Sequence, residues 1–491
     1  MSLLGVDIGT SGCKAALLSR NHRFGTCAVQ RYSTVFGVPG SAELNSIAVK
    51  KAVWSVIREA ASGAAKNDPV KALCVSSLGE ALVPLSTGRK ILGNSILGTD
   101  FRGQDTASLL HEKIGQKNFY RINQNIIGRN YGLPKLCWIR DHNHALWDKS
   151  AYFLSWSDTI NFLLGAPPCA VNSLAQRSLL FDTRKKTWSK TLLKLTEIDE
   201  NKLGNPCEGG DVIGCVSSEA AAELGLTRET KIIAGGHDQV MNALGSGCVR
   251  AGTAACGMGS FECITPVFSE HTDFNTFLRL NLNVENHAVK GLYVSFIYNQ
   301  AGTLTTWFRN TFCSGMMECE KSFFKKIESE IPKNISSVQT MPYFEMTGAP
   351  EFRSASGVIT GLSPSTSRGE IYKSILEGIT FYFHEHLQAL RTAGYAASEF
   401  IVSGGGSRSD AWLQIKADIF GLPFYRLSIS ECGVLGAAAL AGIGCGEYRS
   451  PEEALSGCQK RTREFTPDMK THSLYNVKAE QYRKMKKCFI S

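Results

Sequence analysis

Nowhere in the 491 residues does a Cys-x-x-Cys pair occur, although the chain carries 16 cysteines. The closest two, Cys313 and Cys319, stand six residues apart. Zinc knuckles and dithiol redox pairs need tighter spacing, and thiols scattered this way suit a reducing compartment better than a disulfide scaffold. No uninterrupted apolar run approaches the length of a membrane span. The first apolar segment, residues 3–6, is preceded by no basic n-region or cleavage signal, so a cytoplasmic location without a membrane partner is expected. Polyanion binding is weakly supported. The formal charge is +9, but residues 460–491 hold nine Lys and Arg against three Asp and Glu, which is six of those nine excess charges. That tail lacks basic-aromatic interleaving, reads as a solvated surface element, and implies no nucleic-acid partner.

What is present is ordinary globular composition, 43% hydrophobic and 20% charged, in a chain long enough for two or three domains. Residues 232–264, IIAGGHDQVMNALGSGCVRAGTAACGMGSFECI, concentrate the chemistry. Ile232 to Ala234 end a buried strand, and Gly235-Gly236 are expected to turn the backbone sharply and leave Asp238 beyond the strand's carboxyl end. That is where α/β sheets place reactive groups, and Asp238 is a candidate general base. Residues 240–247 read as a short helix, and residues 254–264 as strand, Gly257-Met258-Gly259-Ser260 turn, strand. A glycine-bearing turn with a hydroxyl is a plausible phosphate cradle. Alone, a sheet-edge Asp beside an ordinary hairpin reads the same.

A similar hairpin opens the chain, where Asp7-Ile8-Gly9-Thr10-Ser11-Gly12-Cys13-Lys14 joins two apolar strands. A carboxylate at its mouth can hold Mg²⁺ through water, Thr10, Ser11 and the turn amides can bind phosphate oxygens, and Lys14 can balance charge. Two such hairpins, one per domain, suit a polyphosphate. Residues 44–65 read as a helix, and a strand at 70–75 empties toward Glu80. Asp100 and Arg102 follow on a loop; carboxylates suit a polyhydroxylated substrate, while a surface salt bridge is the equal alternative for Arg102. Residues 119–142 and 151–164 are helical in character. The chain passes into a second domain near residues 250–253. Gly302-Thr303 opens a helix, an anion-friendly start. The helix at 371–392 carries His384-Glu385-His386, whose spacing is not that of a zinc pair, so a solvated face is expected there. Gly404-Gly405-Gly406 between strand and helix removes side chains where something flat or anionic must meet the backbone. Gly436-Ala437-Ala438-Ala439 lies in a small-residue helix suited to close packing.

With these residues in place, the chain resembles the FGGY family of carbohydrate kinases from Leu3 to about Gly446. The landmarks fall in order: Asp7-Ile8-Gly9-Thr10, Asp100-x-Arg102, Gly235-Gly236-His237-Asp238-Gln239, Gly259-Ser260, Gly302-Thr303 before Trp307, Glu377-Gly378, and Ser403-Gly404-Gly405-Gly406 through Gln414, Ala417-Asp418 and Gly436-Ala437-Ala438. The resemblance implies an α/β fold of two actin-like (ribonuclease-H-like) ATPase domains with a cleft between them. Residues 1–248 would carry the sugar site, the base and the first phosphate hairpin; residues 249–491 would carry the nucleotide site, the second hairpin and the basic tail. It implies ATP and Mg²⁺ as cofactors and a small sugar or polyol as acceptor, most readily a ketopentose such as xylulose. Asp238 would be the base and Asp7 would support the metal. Gly9, Thr10, Ser11, Lys14, Gly259 and Ser260 would line the phosphates, with Gly302 and Gly404 to Gly406 near the nucleotide and Ser409 near the adenine. Glu80 and Gln239 match positions that bind hydroxyls in the glycerol kinase branch, and Asp100 and Arg102 join them on the substrate side. A homodimer is compatible with all of this.

The substrate half departs from the pattern. Leu78-Gly79-Glu80 stands where xylulokinases carry Gln-Met-His, Gly98 stands where most of the family has Trp, and Met346-Thr347-Gly348 replaces a Gly-Glu-Arg. His237 stands where many relatives have Gly. An actin-fold ATPase that regulates a partner, or a degenerate kinase acting as a sugar sensor, is the alternative reading.

Overall fold

A computed structural model describes residues 2–19, 21–64, 68–269, 274–313, 320–344 and 356–489. Met346-Thr347-Gly348 lies outside them. The chain forms two compact units. One comprises Met1–Val249, Asn283–Val294 and Glu431–Gln459, the other Arg250–Leu282, Ser295–Ser430 and Lys460–Ser491.

In the first unit, β1 (Ser2–Ile8) runs antiparallel to β2 (Gly12–Leu18), which is antiparallel to β3 (Ala28–Arg31). Helix α1 (Ser46–Ser62) starts at the Asn45 cap, whose side chain accepts from the Ala48 N–H. Strand β4 (Val70–Ser77) lies parallel to β1, and β6 (Lys231–His237) parallel to β4, with β5 (Val212–Cys215) antiparallel on the edge. Helix α2 (Asp238–Gly245) follows β6 without a loop. Because successive strand residues face opposite sides, Leu4, Val6 and Ile8 of β1 join the core with Val49, Val53 and Ile57 of α1. Gly5, on the other face, meets the helix Cys432–Gly444 so closely that a Cβ would lie 2.1 Å from the Val434 carbonyl oxygen. The same helix sits on α2: a Cβ at Gly436 would lie 2.0 Å from the Met241 oxygen, and one at Gly245 2.0 Å from that of Cys432. The small-residue helix thus packs backbone to backbone, as its composition suggests.

Gly235 and Gly236 do not turn the chain. Strand β6 continues through them to His237, and its register against β4 shifts between Ile233 and Gly236. A Cβ on Gly235 would stand 1.8 Å from the Val75 oxygen, so glycine serves strand contact there. Residues 119–142 are broken into Gly115–Tyr120 and Gly132–His142, and residues 152–155 form a strand before the helix Trp156–Leu164.

The second unit repeats the order of pairings. Strand β7 (Thr253–Met258) is antiparallel to β8 (Phe261–Ser269), which is antiparallel to β9 (Ile297–Gln300). Helices α3 (Gly302–Phe312) and α4 (Arg368–Thr392) lead to β10 (Glu399–Ser403), parallel to β7. Helix α5 (Asp410–Phe420) precedes β11 (Phe424–Leu427), parallel to β10, and β12 (Arg461–Phe465) closes the edge antiparallel to β11. Hairpin, further antiparallel strand, two parallel additions and an antiparallel edge occur in both units, the α/β pattern of actin-like domains.

Two surface expectations are corrected here. Helix α6 (Met469–Phe489), in the basic tail, is amphipathic, with Tyr475, Lys478, Ala479 and Tyr482 buried. Lys478 Nζ donates to Glu377 Oε2 at 2.6 Å and Tyr475 OH to Glu377 Oε1 at 2.8 Å, so this charge is structural. His384 and His386 are buried rather than solvated: His384 Nε2 meets Gln388 Nε2 at 3.0 Å, and His386 Nδ1 meets the Tyr382 carbonyl at 2.9 Å.

Candidate active site

Asp7 stands near the end of β1, paired in register with Lys14 on β2 and Ser76 on β4. Its Oδ1 accepts a 2.8 Å hydrogen bond from Ser76 Oγ. Burial, and next the negative charge of Asp238, push its carboxyl up from the usual 3.8 to about 7, against the opposing pull of Ser76 and Lys14. Lys14 is ion-paired with Glu431, and a Cβ on Gly433 would stand 3.3 Å from the Asp7 carboxylate. The turn keeps Gly9 half-buried and Thr10 and Ser11 exposed. Tyr32 OH donates to the carbonyl oxygens of Gly9 at 2.6 Å and Gly12 at 3.1 Å, bracing the turn from β3's side.

Asp238 is the first residue of α2, where helix N–H groups favour a carboxylate. His237 caps this helix, its Nδ1 accepting from the Gln239 N–H at 3.1 Å while its own N–H donates to Ser173 Oγ at 3.1 Å. The same Nδ1 stands 3.0 Å from Asp238 Oδ1. Among the described residues that oxygen, though buried, accepts no hydrogen bond.

Glu80 is held by Arg177, whose Nε donates to Glu80 Oε1 at 2.9 Å and whose Nη1 donates to Glu285 Oε1 at 2.9 Å and Asn125 Oδ1 at 3.1 Å. Arg177 is buried and lies over the Tyr131 ring, 4.6 Å from its centroid. Although burial opposes its charge, Glu80, Tyr131 and Glu285 hold the guanidinium well above its ordinary value. Sequence reasoning missed Arg177. Its signal was present, since it is the lone charged residue between positions 165 and 181.

Asp100 and Arg102 form an internal brace. Arg102 Nε and Nη2 donate to Asp100 Oδ2 at 3.1 and 2.7 Å, and Nη2 also reaches Glu43 Oε1 at 2.7 Å. The Arg102 and Ala42 N–H groups occupy the same carboxylate at 2.8 and 2.7 Å. Burial pushes Asp100 up, but these bonds hold it below its usual value. Gly98 borders Glu80, with its virtual Cβ 3.5 Å from Glu80 Cβ and 2.7 Å from the Asn130 oxygen, which leaves no room for a Trp without backbone movement.

In the second unit the glycine motifs, scattered in sequence, converge. The Gly302 N–H donates to the Gly259 oxygen at 3.1 Å, and the Thr303 N–H to the Ser260 oxygen at 3.2 Å, setting the start of α3 on the β7–β8 turn. Gly404 has φ +82°, and its Cβ would lie 2.7 Å from the Met258 oxygen; that of Gly406 would lie 2.9 Å from Met258 Cβ. Gly405 faces open space, with nothing within 4 Å of a Cβ. Ser409 caps α5, its Oγ accepting from the Trp412 N–H at 3.1 Å.

The model of the FGGY family of carbohydrate kinases, N-terminal domain, matches residues 2–245, and that of the C-terminal domain matches residues 249–445. A xylulose kinase of Bacillus subtilis is 27% identical over 485 residues, covering 98% of this chain and 96% of that relative. An autoinducer-2 kinase of Salmonella paratyphi B is 25% identical over 505 residues, covering 98% of this chain and 93% of the relative. The crystal structure of xylulose kinase from Rhodospirillum rubrum superposes with a TM-score of 0.90 at 25% identity, covering 99% of each chain. With both domain models matched in order along the sequence, the chain belongs to the FGGY family of carbohydrate kinases.

Proposed function

We propose that this carbohydrate kinase transfers the γ-phosphoryl group of ATP to a hydroxyl of a ketopentose such as xylulose, with Asp238 as general base. The observation that carries the reading is Asp238 at the start of α2, close enough to Asp7 for its charge to act on that carboxyl, in the same unit as Glu80 held by Arg177. Asp238 takes the acceptor proton as that oxygen attacks phosphorus; a carboxylate suffices because phosphoryl transfer is loose and depends mainly on positioning. Glu80 and Gln239 orient the sugar hydroxyls, and the Asp100–Arg102 brace supports that end. In the first unit Gly9, Thr10, Ser11 and Lys14 offer amides, hydroxyls and charge suited to phosphate; in the second unit Gly259, Ser260 and Gly302 offer amides and a hydroxyl of the same kind. Gly404, Gly405, Gly406 and Ser409 form the nucleotide side. Residues 1–248 thus carry the acceptor site, the base and the first phosphate hairpin, and residues 249–491 the second hairpin and the nucleotide side.

Asp7 fits a Mg²⁺ held through water. Its carboxyl is raised by burial and by Asp238, strain that a nearby cation relieves. Among the described residues no three His, Cys, Asp or Glu side chains form a direct metal-ligating group, which suits an ion bound mostly by water and phosphate. When bound, Mg²⁺ neutralises charge on the β- and γ-phosphates. No helix among the described residues is long and apolar enough to cross a membrane, and a cytoplasmic place belongs to the same reading.

The test is ADP release across ketoses, polyols and aldonates, with the phosphorylated product identified by mass spectrometry. Sugar-dependent ADP release, fastest with a ketopentose, is expected. ATP hydrolysis indifferent to every sugar, or sugar binding without turnover, would contradict it.

A further inference from the structure

The kinase chemistry above makes no use of His237, yet this side chain is nine-tenths buried between Gly79 and Asp238, with only 5% of the residue exposed. The Cδ2–Nε2 edge of its ring rests on Gly79. A Cβ at position 79 would stand 2.5 Å from His237 Cδ2, 2.7 Å from Nε2 and 2.9 Å from Cγ of Arg177. Gly79 is absent from the positive-φ glycines, so its backbone does not demand glycine. Space does. The other edge of the imidazole is fixed by the Gln239 N–H and faces Asp238. The same Nδ1 thus touches both the first turn of α2 and the Asp238 carboxylate.

We propose that His237 is a positioning residue which shares one space with position 79, and thereby sets the spacing between the Asp238 carboxylate and the Glu80–Arg177 pair. The inference rests on the kinase reading of the site. His at 237 requires Gly at 79, and a side chain at 79 requires a small residue at 237; the pair selects the acceptor by the shape left between base and Glu80.

The test is a double-mutant cycle of Gly79→Ala and His237→Ala, read as kcat and KM for the sugar and for ATP. Gly79→Ala alone is expected to lower sugar kcat/KM about 10²-fold by displacing the ring, with KM for ATP unchanged. Adding His237→Ala is expected to recover about tenfold of that loss, although His237→Ala alone is harmful, because a displaced base costs more than a missing ring. A double variant no better than Gly79→Ala overturns the shared space. His237→Asn, which keeps a capping acceptor, is expected to alter sugar preference; if it matches the parent in kcat and preference, capping is the whole role and the proposal fails. Should the parent phosphorylate no sugar, the kinase reading falls separately. The cycle is then read in unfolding midpoints, where sign-reversed coupling between the two positions supports the shared space and additivity overturns it.

Discussion

Arg177 Nε donates to Glu80 Oε1 at 2.9 Å across 97 residues of sequence, fixing a carboxylate that the proposed acceptor site uses. Arg177 also neutralises Glu285, which is fully buried. Removing one partner of a buried ion pair leaves an uncompensated charge, at about 3–5 kcal/mol. Arg177→Met is therefore expected to lose stability in that range by urea denaturation. Arg177→Lys, which lacks the planar fork, is expected to raise KM for sugar while leaving KM for ATP unchanged.

The second buried pair makes the tail structural. Lys478 and Glu377 meet with both side chains almost wholly enclosed, and Tyr475 completes the carboxylate's bonds. Lys478→Ala is expected to cost about 3–5 kcal/mol, seen as a lowered denaturation midpoint, whereas neutralising Lys470 on the same helix leaves it unchanged within about 0.5 kcal/mol. Equal effects at the two positions would return the tail to a solvated role.

Stability should carry opposing pH slopes from two buried groups. Burial pushes His384 down to about 4 from 6.5, so the unfolded chain binds more protons between these values, and this contribution is lost as pH falls from 6.5 toward 4. Burial pushes Asp158 up to about 7 from 3.8, so the folded chain keeps its proton and stability declines as pH rises from about 4 to about 7. His384→Gln is expected to make the slope of unfolding free energy less positive between pH 4 and 6.5, and Asp158→Asn to make it more positive between pH 4 and 7. Denaturation at a series of pH values reads both signs.

Much of the local geometry around the candidate site was legible in the sequence because its signals are local. Turn residues at Asp7 to Lys14, the Gly259-Ser260 turn, the glycine triplet and the small-residue helix each declare their geometry through backbone freedom or small volume. What escaped depends on partners far along the chain. Gly235 and Gly236 look like a turn until β4 lies against them, 1.8 Å from a virtual Cβ. Lys478 looks solvated until Glu377 is placed 101 residues away. His384 and His386 have the spacing of neither a metal pair nor a buried stripe, and only the packing of α4 encloses them. Arg177 was isolated among apolar residues, but nothing local pointed to Glu80.

The central claim is tested most directly by steady-state kinetics of Asp238→Asn with the best sugar acceptor, alongside calorimetric binding of that sugar and of an ATP analogue. The substitution keeps shape and removes the base. kcat is expected to fall about 10²–10⁴-fold while both ligands still bind. Full turnover by Asp238→Asn would contradict the account.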